Sequence, residues 1–451
     1  MRMNVARMLL SVVVAATSAS GAVVIEAARE VSFFDAPAIR VTGLAPLQPV
    51  TIRAALTDSA GEAFTSTARF VPHSDGIVDT SRSVANGSYE GIDPMGLFWS
   101  LTGKGGAQWP VTGAVETTID VLDEKDHLLA SARIRRRIIP EDVKVRELRH
   151  PDSTLVGRFY EHSGGKRPAL LTLTGSNGGI DPTMAPFLAS RGYNVLALAY
   201  YHFEGVSENL IEIPLETFRE GLRWLAAQPS VDSQRIGIVG ISKGAEAALL
   251  TASYFPEGVR AVAAFVPTSV VWEGADARAR FGGDAHFDAP GRSSWSLRGK
   301  PVPFVRKTVS AERLANRPVA FLDEYEPPIR RPLDPATVIP VEHIRGAIFL
   351  AASGDDLVWP SLAMARQINS GSRIITGGTA SRSTSTPLRV MESRRPAIAR
   401  IPHLEELQLQ TPAPERMHGT GSSTSWKKIS AAGRRGTDAP PLPPFALHPV
   451  R

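Results

Sequence analysis

Gly240-Ile241-Ser242-Lys243-Gly244 is the stretch of this chain best suited to covalent chemistry. It follows the apolar run at 235–239 and opens an Ala/Leu-rich segment at 245–255, so the serine falls between a strand and a helix. Glycines flank such a serine because a side chain at either position would strike neighbouring backbone, and the sharp turn lifts the hydroxyl above the sheet edge. Ser242 is therefore the expected nucleophile of an acyl transfer. That reaction also needs amide donors for the oxyanion that develops on the attacked carbonyl. The backbone N–H of Lys243, at the helix N-terminus, supplies one. The Gly-Ser-Asn-Gly-Gly loop at 175–179, through Gly175 and Ser176, is placed to supply the other. The Lys243 side chain itself is expected in solvent.

A serine of this kind works with a histidine that a carboxylate orients. Beyond the apolar run at 347–351, Gly354-Asp355-Asp356-Leu357-Val358-Trp359-Pro360 reads as a polar turn at the carboxyl end of a late strand, where such a carboxylate belongs. Asp356 is chosen because Leu-Val-Trp-Pro separates it from the next helix with the spacing of serine hydrolases, which leaves Asp355 as an exposed turn residue. With no cysteine in the chain, disulfides, thiolate zinc sites, iron–sulfur clusters and a Cys nucleophile are excluded together. His162, His202, His286 and His343 lack metal-ligand spacing, and there is no HExxH or phosphate loop, so no cofactor or metal is expected. Trp272 and Trp295 could line an acyl pocket, but an apolar core is the commoner place for such side chains.

The elements that must hold these residues are legible in the periodicity. From about 23 to 142 apolar residues alternate, as in Val50-Ile52-Ala54-Leu56 and Val115-Thr117-Ile119-Val121, with turn-like stretches between. This predicts short strands, each with one buried face, in a small β-sandwich. After 143 the runs at 169–174, 194–199 and 235–239 are continuously apolar, as in a parallel sheet buried on both faces. Between them Leu215, Phe218, Leu222 and Leu225 form one helical stripe behind Pro214. Strand and helix in alternation predict an α/β domain over 143–368, with a helix-like segment at 361–368 and a Gly/Pro/Arg-rich irregular insertion at about 272–340.

The net charge of +5 is unevenly spread: the last 83 residues hold 12 Lys+Arg against 5 Asp+Glu, so the remainder is slightly acidic. The body offers no electrostatic reason to expect a nucleic-acid partner. In the segment 369–451, 18 residues are Ser or Thr, 10 are Pro and only 2 are aromatic, which predicts a disordered tail without persistent helix or strand. At the other end Arg2 and Arg7 precede the apolar run 8–16 and small residues near Ala19 and Ala22. This layout within 1–22 predicts a secretory signal, and hence export to a periplasm; without it the protein would be cytoplasmic. No stretch is long enough to span a bilayer as a helix.

GISKGAE around Ser242, PTSVVW at 267–272, SSWSLRGKPVPF at 293–304 and SGDDLVWPS at 353–361 resemble the acyl-CoA thioesterase and bile acid-CoA:amino acid N-acyltransferase family. IRVTGLAPLQPVTIRA at 39–54 and DPMGLFWSL at 93–101 extend the resemblance over about 28–368. It implies a β-sandwich followed by an α/β-hydrolase domain, with acyl-CoA thioesters as substrates. Family members with Cys at the elbow favour transfer to an amino acid, and those with Ser favour hydrolysis, so Ser242 implies hydrolysis. The alternatives are a catalytically impaired member and a serine esterase or acyltransferase acting on another acyl substrate.

The chain departs from the family at one point. The family's catalytic histidine stands in a Gly-His-like motif downstream of the aspartate, whereas here no histidine lies between Asp356 and His403, and His403 and His418, which do follow, are in the tail without such a motif. A shifted frame explains this. With the permitted codons CTG CGG GTC ATG GAA TCG for Leu388-Arg389-Val390-Met391-Glu392-Ser393, the neighbouring frame encodes Ala-Gly-His-Gly-Ile, its histidine straddling Val390 and Met391. The expectation is a frameshift between about 368 and 388 that makes the tail an out-of-frame product.

Overall fold

The computed structural model describes residues 22–149, 155–277, 291–309, 311, 321–371 and 388–393, so the leader at 1–21 and nearly all of the tail lie outside the described residues. The N-terminal part is built on β1 (Val50–Thr57), β2 (Ala63–Phe70), β3 (Ala114–Leu122) and β4 (Leu128–Arg137). They run antiparallel in the order β4-β3-β1-β2 at the centre of a seven-stranded sheet. The period-two pattern is obeyed closely: Val50, Ile52, Ala54 and Leu56 are buried, as are Phe64, Ser66, Ala68 and Phe70 opposite them, while the alternate residues of β2 are exposed. A three-stranded sheet of Val24–Ala27, Ile39–Thr42 and Val78–Asp79 adds Ile39, Val41 and Val78 to the same core.

The second sheet has eight strands: β5 (Val143–Leu148), β6 (Val156–His162), β7 (Arg167–Leu173), β8 (Asn194–Ala199), β9 (Val231–Ile241), β10 (Val259–Phe265), β11 (Ala347–Ser353) and β12 (Leu388–Ser393). Their spatial order is β5-β6-β8-β7-β9-β10-β11-β12. The pairs β5/β6 and β6/β8 are antiparallel and the rest parallel. All six residues of β8 are buried, as expected of an interior parallel strand covered on both faces. Helices α1 (Met184–Ser190), α2 (Leu215–Ala226), α3 (Lys243–Tyr254), α4 (Leu322–Ile329) and α5 (Ser361–Gly371) surround it. This is an α/β-hydrolase arrangement. Leu215, Phe218, Leu222 and Leu225 form the buried stripe of α2, with Pro214 as its N-cap, where the missing N–H costs nothing.

Two expectations need correction. The insertion is not wholly irregular: it includes the short strands Trp295–Leu297 and Lys300–Pro301 as well as α4. The chain after Ile368 is not without regular structure either. Helix α5 continues to Gly371, and Leu388–Ser393 pairs parallel with β11 at the sheet edge. An edge place demands main-chain hydrogen bonds on one side only, so it accepts a sequence with no apolar period.

The two sheets share one apolar cluster. Tyr160, Val195 and Ala197 of the eight-stranded sheet, with Ala185 and Ala189 of α1, pack against the N-terminal core. Arg191, just after α1, pairs with Asp35 at 2.6 Å across the same boundary. Among the described residues no helix is long and apolar enough to cross a membrane.

Candidate functional site

Ser242 stands between β9 and α3 at φ 54°, ψ −118°, a backbone region that a residue with a side chain seldom enters. Its N–H donates to the carbonyl of Phe265 at 2.9 Å, and its own carbonyl accepts from Ala245 and Glu246 as the helix begins. The flanking glycines are steric necessities. A Cβ on Gly240 would lie 2.1 Å from the carbonyl oxygen of Gly244, and one on Gly244 would lie 2.2 Å from that of Leu173 and 2.3 Å from that of Thr174. The first turn of α3 thus packs directly on the end of β7, where the Gly-rich loop starts. Gly175 closes against Ser242: a methyl there would be 3.2 Å from its Cβ and 3.7 Å from its Oγ. Ser176 follows it, half-buried, and Gly178 and Gly179 turn the loop at φ 66° and 68°. The N–H of Gly178 donates to Gly175 and that of Gly179 to Tyr201, so the loop is fixed at its far end.

The expected carboxylate is on the adjoining loop. Asp355 is exposed, as anticipated, whereas Asp356 is largely withdrawn from solvent. Asp356 Oδ1 accepts from the N–H of Val358 at 3.0 Å and of Trp359 at 3.2 Å. Its Oδ2 is buried and makes no hydrogen bond of ordinary geometry among the described residues, the Ser361 hydroxyl standing nearby. Burial raises its carboxyl above the ordinary value, opposed by the nearby Ser361 hydroxyl and the Val358 and Trp359 amides. The loop is tied to the elbow side of the sheet by Trp359, whose Nε1–H donates to the carbonyl of Val266 at 3.1 Å.

Among the described histidines none meets that oxygen. His162 is engaged by Asp142 at 2.8 Å and by the carbonyl of Ala189 at 2.9 Å, and His202 faces Glu208 at 3.2 Å. His403 and His418 lie outside the described residues, as does His286. Among the described residues no group of three or more His, Asp or Glu side chains is arranged to hold a metal.

The Lys243 side chain corrects the sequence expectation. It is buried, and its Nζ donates to Glu246 Oε2 at 2.7 Å, because the residue one helical turn along α3 is a fully buried carboxylate. Glu246 escaped notice in the sequence. The available signal was an acid three residues after the elbow lysine in an otherwise small and apolar helix face. Trp272 and Trp295 are core residues at 1% and 0% exposure, and both donate to that carboxylate.

Comparison with known proteins adds a family assignment. Residues 35–150 match the acyl-CoA thioester hydrolase/BAAT N-terminal region, and residues 213–373 match the BAAT/acyl-CoA thioester hydrolase C-terminal region. The chain is 32% identical over 338 residues to acyl-coenzyme A thioesterase 2, mitochondrial, of Homo sapiens, covering 72% of this chain and 64% of that protein. It is 31% identical over 335 residues to human acyl-coenzyme A thioesterase 1, covering 72% and 74%. With acyl-coenzyme A thioesterase 6 of Mus musculus the identity is 36% over 243 residues, or 51% and 57%. The chain therefore spans just under two thirds of the mitochondrial relative. Among solved structures, the α/β hydrolase GrgF from Penicillium sp. sh18 aligns over 59% of this chain and 98% of its own, at 15% identity and a TM-score of 0.36.

Proposed function

The chain belongs to the acyl-CoA thioester hydrolase/BAAT family, and on that premise we propose that it hydrolyses acyl-CoA thioesters through an acyl-enzyme on Ser242. The observation that carries this is the elbow itself: a serine held at φ 54° with Gly175 closed against its hydroxyl. Strain of this kind persists only where the surrounding structure enforces it, and here Gly240 and Gly244 let backbone approach where no side chain would fit. Ser242 Oγ attacks the thioester carbonyl, and its proton would pass to a histidine that the tail, with His403 and His418, must supply. The oxyanion is held by the amide of Lys243 and by Gly175 or Ser176 of the loop. Collapse of the tetrahedral intermediate expels CoA as its thiol, and water then releases the fatty acid from the ester. Asp356 is the residue that would orient the histidine, and its unengaged buried Oδ2 is the atom suited to accept the imidazole N–H.

Purified full-length chain given a panel of acyl-CoAs with a thiol reagent should release free thiol, and Ser242→Ala should abolish the release. Equal release from that variant refutes the assignment.

A second reading is favoured by the same Oδ2: a family member whose base has been lost, retaining the acyl-binding scaffold and only the residual catalysis of the oxyanion hole. In that reading a frameshift between about 368 and 388 removed the histidine. Re-sequencing the gene across that window decides it, and Val390 encoded by anything but GTC excludes the frame described above. If the leader at 1–22 directs export, an oxygen ester becomes the more accessible substrate. A thioester-to-oxoester rate ratio below one would identify that case.

A further inference from the structure

Beneath the elbow lies a buried ion pair that the proposed reaction does not consume. Lys243 and Glu246 are 5% and 0% exposed, and Glu246 engages three donors: Lys243 Nζ on Oε2, and on Oε1 the N–H of Trp272 at 2.9 Å and Nε1–H of Trp295 at 2.7 Å. Lys243 Nζ also stands 5.5 Å from the centroid of the Trp295 ring. From this carboxylate an aromatic row leads to the other half of the site. Trp272 meets Tyr325 edge-on at 4.9 Å, Tyr325 meets Trp359 at 5.8 Å, and the N–H of Trp359 donates to Asp356 Oδ1. A buried pair of charges is a poor way to gain stability, since an apolar pair of similar volume fills the same space without desolvation cost. What it supplies is geometry: a fixed separation between α3, the insertion and the acid loop.

We propose that Glu246 is a positioning residue for acyl transfer, which through Lys243 fixes the backbone amide offered to the oxyanion and through the Trp272–Tyr325–Trp359 row sets the Asp356 loop relative to Ser242. The proposal rests on Ser242 being the nucleophile. Burial pushes the Lys243 ammonium below and the Glu246 carboxyl above their ordinary values, each opposed by the other's charge. Of the charged groups near Lys243, Lys307 disfavours its ammonium and Glu273 favours it.

The test uses the full chain and an alkyl fluorophosphonate, which forms an Oγ–P bond with an activated serine as fluoride leaves. Its limiting rate therefore reports the serine, its base and its amide donors without requiring turnover, and a parent chain that takes no label overturns the proposal. Glu246→Gln and Lys243→Met should each lower the limiting labelling rate at least tenfold while the half-saturating probe concentration stays within twofold. The double variant should recover part of the loss, since it leaves no lone charge buried. A limiting rate within twofold of the parent in Glu246→Gln, or a loss that only tracks the folded fraction seen by circular dichroism, overturns the proposal. Should Glu246→Gln not fold, Trp295→Phe, which removes one donor from the carboxylate, should slow the limiting rate at least threefold; an unchanged rate overturns the proposal equally. Label retained in Ser242→Ala refutes the nucleophile itself, an outcome separate from any of these.

Discussion

Ser242 and its glycines show how finely the elbow is spaced. A methyl on Gly244 would meet the carbonyls of Leu173 and Thr174 at 2.2 and 2.3 Å, contacts that only backbone movement relieves. Gly244→Ala is expected to cost stability at the top of the ~1–3 kcal/mol range for overpacking or beyond it, read as the shift in a urea unfolding curve. Gly175→Ala is a different case. Its methyl would meet Ser242 Cβ at 3.2 Å and the carbonyl of Ile241 at 3.3 Å, so the neighbours need give only a few tenths of an ångström. Its Tm should stay near the parent's while thioester hydrolysis falls at least tenfold, because the atom displaced is on Ser242, the proposed nucleophile. Asp356 makes a prediction with a sign in pH. Burial raises its carboxyl in the folded state above the ordinary aspartate value, so the folded chain binds the proton more tightly and stability falls as pH rises from the unfolded carboxyl's value through the folded one. Asp356→Asn removes the charge that burial penalises and keeps Oδ1 for the Val358 and Trp359 amides. It should therefore lose activity yet melt no lower than the parent at pH 7, with the difference shrinking as pH is lowered towards the unfolded carboxyl's value. A variant that melts lower than the parent at pH 7 and gains on it as pH falls contradicts this.

At the scale of elements, helix α2 was legible because its stripe is strong and Pro214 stands where a helix begins. Phe218 is fully buried against Trp295 at 5.8 Å and Tyr200 at 5.3 Å, so Phe218→Ala should destabilise by about 3–5 kcal/mol in chemical denaturation. The strands β1 and β2 were legible for the same reason in period two. The Lys243 side chain was not. Its burial depends on Glu246 one turn away and on Trp272 and Trp295, which the chain brings in from beyond β10. Two of those three contacts, from Trp272 and Trp295 to the Glu246 carboxylate, cross more than twenty positions, and no local period registers them.

For the whole molecule, the cluster that joins Tyr160, Val195 and Ala197 to the N-terminal core means neither sheet buries its full apolar face alone. Thermal unfolding of the region 22–371 should therefore proceed as one transition, and a chain begun at β5 should be poorly soluble; two separate calorimetric peaks would contradict a shared core. The net charge of +5 belongs to the tail, while the folded body is nearly neutral. By itself the sequence determined the α/β order of elements, the serine turn at 240–244 and the polar turn at 354–360. Each of these is local: a turn needs its glycines and a buried strand its apolar run, whatever lies elsewhere in the chain. Only the tertiary structure decided that Gly175 closes on Ser242, that Asp356 keeps a buried oxygen unengaged among the described residues, and that Glu246 links the elbow to two tryptophans. Those facts depend on which distant segments share a volume, and close packing sets that only once the whole core has formed.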